Sequence, residues 1–240
     1  LALAGMGLYD SARLEARQTV STIRKNLSGV LWASDLYIRT KAYPEAMRVL
    51  FMYRDFKRPA GEKELPVAFW KNFFPLAYFD LIREPAEAHS MDPFFVDGLI
   101  RQESLFDDDI VSPAGARGLM QIMPETGRRL FSKDESDEGY DPDVLFDARL
   151  NVRLGIKFLG QLAQRYGNRG TYLLISYNAG PHVLEKWLKR FEHIQDEDVF
   201  IESIPYPETR GYVKRVMRNY GIYHRLYEDS AAAQKNHKVF

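Results

Sequence analysis

The stretch DPFFVDGLIRQESLF, residues 92–106, places a carboxylate where a helix would bury apolar side chains. Asp92 followed by Pro93 forms a helix start: a side chain able to cap, then a residue that fits the first turn. From there Val96, Leu99, Ile100 and Glu103 recur at i, i+3, i+4 and i+7, so Glu103 shares a face with three apolar residues. A carboxyl group taken out of water favours its neutral form, and an acid still protonated near neutrality is a proton donor. For the helix taken alone, a half-exposed glutamate at its C-terminal edge is the commoner explanation.

Other segments add to the case. GLMQIM puts Gln121 among apolar neighbours, SYNAG puts Tyr177 and Asn178 at a helix end, and ESIPYPETRGY sets Glu202 and Glu208 around two prolines. Each alone has a structural reading: a satisfied core amide, a helix C-cap, an acid drawn to a helix N-terminus. Packing alone accounts less well for all of them together with Glu103.

Several chemistries drop out. The chain has no cysteine, so disulfides, thiolate nucleophiles and cysteine metal sites are excluded. His89, His182, His193, His224 and His237 show no ligand spacing, and neither a metal nor a cofactor is expected. DESDEG, residues 134–139, fails as a calcium loop because its twelfth position is Leu145. No Gly-x-Ser-x-Gly elbow, phosphate loop or dinucleotide fingerprint occurs. Asp107, Asp108 and Asp109 read as a solvated turn.

The elements that must position these groups are mostly helical. Residues 1–58 read as helices, one beginning near Pro44 and carrying Met47, Leu50 and Phe51 on a stripe. KRPAGEKELP, residues 57–66, reads as a linker. VAFWKNFFPLAYFDLI is broken by Pro75, and SPAGARGLMQIMPETG reads as turns plus a small strand over Leu119–Met123. Leu154, Phe158, Leu162 and Tyr166 stripe a helix in which Gly155 and Gly160 allow close packing. TYLLISYNAG stops at Gly180–Pro181, and a last helix starts at Pro207 with Val213, Val216, Met217, Tyr220 and His224 on one face.

Of the 240 residues, 45% are hydrophobic and 28% charged, as in an ordinary globular chain. Lys+Arg and Asp+Glu are both 33, and this zero balance argues against a nucleic-acid or membrane-surface binder. No apolar run is long enough to span a bilayer. The opening LALAGMGL lacks a basic lead-in and an initiating Met, as expected of a processed or truncated chain without its targeting segment.

RQESLFDDDIVSPAGARGLMQIMPETG, SYNAGPHVLEKW and ESIPYPETRGYVKRVMRNYGIY resemble, in order, the motifs of the soluble lytic transglycosylases, enzymes that cut bacterial peptidoglycan. The likeness runs from about Trp70 to Tyr227. It implies that Glu103 is the catalytic acid/base, and that Ser112, Gln121, Met123, Tyr177 and Glu208, with Asn178 beside Tyr177, line a glycan cleft. It implies a mainly α fold: a goose-lysozyme-like α+β catalytic domain with a small β element, preceded by an α-helical superhelix or solenoid segment. The expected division is 1–66 for that segment, 67–228 for the catalytic domain and 229–240 for a tail. The implied reaction joins the muramic-acid C6 hydroxyl to C1, leaving a 1,6-anhydro end, in the periplasm. Its partners would be peptidoglycan glycan strands, with cell-wall synthesis or remodelling proteins as further candidates, no nucleic acid and no membrane span. Two alternatives stand beside it: a hydrolytic lysozyme using one of Asp107–Asp109 to orient water, and a glycan-binding scaffold without catalysis.

Overall fold

The computed structural model describes residues 2–23, 25–55, 65–131 and 139–236. The chain divides into two compact units, one of Leu1–Ala77 with Leu226–Phe240, the other of Tyr78–Arg225.

The first unit holds α1 (Ala2–Gly5), α2 (Tyr9–Ile23), α3 (Leu27–Arg39), α4 (Tyr43–Asp55) and α5 (Val67–Phe73). Asn26 caps α3 through its side chain, which accepts from the Ser28 and Gly29 amides. Small residues on adjacent helices, Ala12 and Ala16 on α2, Ala33 on α3 and Ala46 on α4, let larger ones such as Leu36, Leu50 and Phe69 fill the core. The helix expected at Pro44 is α4. The proposed linker lies outside the described residues as far as residue 64.

The second unit contains α6 (Phe79–Ala88), α7 (Pro93–Glu103), α8 (Pro124–Leu130), a 3-10 turn (Pro142–Phe146), α9 (Ala148–Tyr166), α10 (Gly170–Ala179), α11 (Pro181–Arg190) and α12 (Glu197–Glu202). α13 (Pro207–Asn236) belongs to it as far as Arg225. Asp92 caps α7 as expected, accepting from the Phe94 amide at 2.9 Å, and Val96, Leu99 and Ile100 are fully buried.

α13 runs antiparallel along α7. Asp92 meets Tyr220 and His224, the Asn219 amide donates to the Gly98 carbonyl at 3.2 Å, and Arg215 donates to Gln102 at 3.0 Å. Numbers rise on one helix as they fall on the other. At 1.5 Å per residue the two paired stretches cover similar lengths, about 15 Å and 14 Å, so the rungs stay in step. Gly98 makes the approach possible: a Cβ there would lie 3.0 Å from the Tyr220 nitrogen and 3.2 Å from the Val216 carbonyl.

The glycines of α9 also work at contacts. A Cβ at Gly155 would collide with Met120, and one at Gly160 with the His89 ring. The small strand expected at Leu119–Met123 is not there. Among the described residues only isolated bridges occur, Val111 with Arg117 and Arg117 with Ile122. Gly118 (φ 70°) and Gln121 (φ 49°) adopt left-handed backbone, and the Gln121 amide donates back to the Gly118 carbonyl, so the run turns instead of extending. Leu119 and Met120 are both buried, which a strand with one wet face would not allow.

Gly98→Val places a branched side chain against the α13 backbone. It should destabilise the protein by about 2–3 kcal/mol, read as a lowered denaturation midpoint, whereas an unchanged midpoint would show that the helices can separate at no cost.

Candidate active site

Glu103 is the last residue of α7, and α13 brings Tyr212 to it: the phenol donates to Glu103 Oε1 at 2.5 Å. Glu103 is half-buried, so solutes retain access, while Tyr212 is buried. Loss of water raises the Glu103 carboxyl to about 7, and the Tyr212 hydrogen bond, which favours the charged form, pulls it partly back. An acid balanced there can both give and take a proton near neutrality. No second carboxylate among the described residues contributes to that shift.

Tyr177, near the end of α10, feels the same charge. Burial and then the Glu103 carboxylate push its hydroxyl well above the usual phenol range. The hydroxyl donates to the Met120 carbonyl at 2.8 Å, and its ring packs on Phe158 of the α9 stripe, centroids 5.4 Å apart. One residue on, Asn178 accepts from the Thr209 hydroxyl at 2.7 Å and so ties the end of α10 to the start of α13. Glu208 is exposed in the first turn of α13, four residues before Tyr212 and hence on the same helix face. Glu202, by contrast, is a surface group paired with Lys214, whose hydrogen bond and charge hold its carboxyl below the ordinary range.

The loop after α7 carries the remaining expected residues. Ser112 accepts from the Ala116 amide at 3.0 Å and shapes the turn. Gln121 donates to the Gly118 and Ile110 carbonyls, at 2.9 and 3.3 Å, so its amide nitrogen is spent on holding the loop. Met123 is exposed just before α8. Leu105 (φ 53°) and Phe106 (φ 65°) are both left-handed, which reverses the chain directly after Glu103. In the acidic turn Asp107 accepts from the Asp109 amide at 3.2 Å and Asp108 from the Tyr78 hydroxyl at 2.8 Å, while Asp109 is exposed.

Two residues went unnoticed in the sequence. Tyr212 falls on the α13 stripe with Val216 and Tyr220, a polar tip on an apolar face, and that was its signal. Asn151 is fully buried in α9; it accepts from the Met120 amide at 2.8 Å and donates to the Arg117 and Leu145 carbonyls at 2.9 and 2.7 Å. A Cβ at Gly118 would strike Asn151 and the Leu145 carbonyl, so glycine and asparagine require each other.

Tyr212→Phe removes the bond that favours the ionised carboxyl, so the Glu103 pKa should rise above its value of about 7, read from a carbon-13 carboxyl titration. A fall would show that the phenol acts otherwise. Asn151→Leu strands three backbone groups and should cost about 3 kcal/mol or more, read as a lowered unfolding midpoint.

Comparison with known proteins gives a consistent result. The Transglycosylase SLT domain profile matches residues 80–200, and the Soluble lytic transglycosylase helical domain profile matches residues 203–231, which begin just before α13 and run into it. A soluble lytic murein transglycosylase of Escherichia coli K12 is 39% identical over 155 residues, which are 64% of this chain and 24% of that relative. The chain thus spans about a quarter of that protein. The crystal structure of the 70 kDa soluble lytic transglycosylase of Escherichia coli covers 93% of this chain with 34% of its own, at 28% identity and a TM-score of 0.74. The lytic transglycosylase Slt of Pseudomonas aeruginosa, solved as an inactive glutamate-to-glutamine mutant, covers the same 93% with 34% of its own chain, at 27% identity and a TM-score of 0.69.

Proposed function

Since the chain belongs to the transglycosylase SLT-domain family, we propose that it cuts peptidoglycan between N-acetylmuramic acid and N-acetylglucosamine without water, leaving 1,6-anhydro-muramic ends. The observation that carries this reading is the Glu103 carboxyl, raised to about 7 by burial with no second carboxylate among the described residues acting on it. Glycosidases that use water pair two carboxylates. Here the second catalyst is the substrate's own C6 hydroxyl.

Glu103 protonates the bridging oxygen as the bond from C1 to that oxygen breaks, and the leaving sugar departs. The resulting carboxylate, held by the Tyr212 phenol, then takes the proton from the C6 hydroxyl as its oxygen bonds to C1. Glu103 ends as it began, and no water enters. Proximity of C6 to C1 supplies what a second carboxylate otherwise would.

Ser112, Gln121, Met123, Tyr177, Asn178 and Glu208 are proposed to line the glycan cleft. Support is strongest for Tyr177, which feels the Glu103 charge, and for Asn178, joined to α13 one helical turn from Tyr212. For Glu208 the support is its place on the Tyr212 face of α13. Hydrolysis through the acidic turn is the weaker reading, since Asp107 and Asp108 already serve a backbone amide and Tyr78. The relatives act on murein by name, some soluble and some membrane-bound, which supports work in the periplasm on glycan strands and alongside cell-wall proteins. No described helix is long and apolar enough to cross a membrane.

Glu103→Gln should keep the fold and lose on the order of 10²–10⁴-fold in glycan cleavage, the weight of a positioned general acid; a loss below about tenfold would remove Glu103 from the role. The solved Pseudomonas aeruginosa relative was inactivated by an exchange of the same kind. Mass spectrometry of digested sacculi should find anhydro ends, whereas predominantly reducing ends, about 18 Da heavier per cut, would make the protein a lysozyme.

A further inference from the structure

Asp97 lies on α7 next in sequence to Gly98, where α7 and α13 come close, and has no role in the chemistry above. It is completely buried, and neither carboxyl oxygen has a hydrogen-bond partner among the described residues. A native core rarely keeps such a group, and one that it keeps calls for an explanation.

Among the described residues no compensating charge lies within hydrogen-bond distance of Asp97. On α7 itself, the Asp92 carboxylate acts unfavourably on an Asp97 anion, and the Arg101 guanidinium is coupled to Tyr223 and Arg218 of α13. On α13, Tyr220 and His224 are engaged with Asp92, and Arg215 with Gln102. α6, which also packs on α7, buries Ile82 and Ala86; its Asp80, Glu84 and Glu87 are exposed and Arg83 is half-exposed. Burial and then Asp92 push the Asp97 carboxyl well above the usual range. A neutral carboxyl in this place forgoes hydrogen bonds; an ionised one would be an unpaired charge in the core, which is far worse.

We propose that Asp97 is a proton-operated lock on α7: the helix seats against α13 only while this carboxyl is neutral, and its ionisation loosens α7 and draws Glu103 away from Tyr212. The protein would thereby lose its site structurally as pH rises through the titration of the folded Asp97 carboxyl, in addition to any loss from Glu103 itself. The lock rests on packing alone and does not depend on the reaction proposed for Glu103.

The sign follows from linkage. The folded carboxyl holds its proton to higher pH than the unfolded one, whose pKa is about 3.9. Its contribution to folding is therefore complete below about 3.9 and is lost as pH rises towards the folded value, tenfold in the folding equilibrium per pH unit for one proton.

Glu103→Gln is the background for the test, because it removes the other raised carboxyl. Denaturant unfolding of the full chain between about pH 5 and 7, with and without Asp97→Asn, should differ in slope by one proton, tenfold per pH unit. Equal slopes would overturn the proposal. Should the asparagine variant not fold, Asp97→Ala takes its place, and carbon-13 NMR of the aspartate-labelled parent gives a direct reading: a carboxyl that keeps its proton to higher pH than the unfolded chain is expected, and one that ionises with the unfolded value of about 3.9 overturns the idea. Hydrogen exchange separates a lock from a passive buried acid. As Asp97 ionises, amides of residues 96–103 should lose protection before those of α9, and simultaneous loss would leave no lock.

Discussion

The contact of α7 and α13 through Gly98 governs where the other parts of the candidate site can stand. Two helix backbones meet there with no side chain between them. Hydrogen-bonding rungs on either side, Asp92 with Tyr220 and His224, and Gln102 with Arg215, fix the rotation and slide of one helix against the other. With both fixed, Tyr212 has one place to reach, the carboxyl of Glu103. The Glu103 carboxyl owes its raised pKa to burial and the partial return from it to that phenol, and both follow from how closely the helices pack.

A second constraint works from the opposite side. The loop between α7 and α8 has little regular structure of its own, yet it carries Ser112, Gln121 and Met123 of the proposed cleft. Asn151 holds it by two hydrogen bonds from a fully buried position and ties it to the 3-10 turn by a third, to the Leu145 carbonyl, while the Tyr177 hydroxyl holds the Met120 carbonyl. A buried amide that satisfies three backbone groups specifies one loop conformation, because any other would leave those groups unpaired. Tyr177 therefore has two duties: its hydroxyl anchors the loop, and its ring lies close enough to sense the charge of Glu103.

Much of this was legible in the sequence, and what escaped did so for physical reasons. Asp92–Pro93 marked the start of α7, Gly180–Pro181 the end of α10 and Pro207 the start of α13, since capping and proline geometry are local effects. The apolar stripe of α7 placed Glu103 on a buried face. Leu119–Met123 misled because alternation of residue types resembles a strand, while Gly118 and Gln121 in left-handed backbone turn the chain. Asn151 and Tyr212 act over 31 and 109 positions of chain, and no local pattern announces a partner that distant. The resemblance to the transglycosylase motifs supplied what local patterns could not: which of several odd polar residues belong together.

The turn after Glu103 has an electrostatic consequence. Ser104 closes α7 by donating to the Ile100 carbonyl, and the left-handed pair Leu105–Phe106 then turns the chain away. Glu103 therefore stands at the negative end of the helix dipole, where a carboxylate is disfavoured by roughly 0.3–1 kcal/mol, less than one pKa unit. Burial remains the larger influence, but the two act in the same direction. Had α7 continued for another turn, the negative end would have moved about 5 Å further along the axis, and the same glutamate in the same apolar surroundings would be a stronger acid. Where the helix stops is thus part of what sets the strength of its acid.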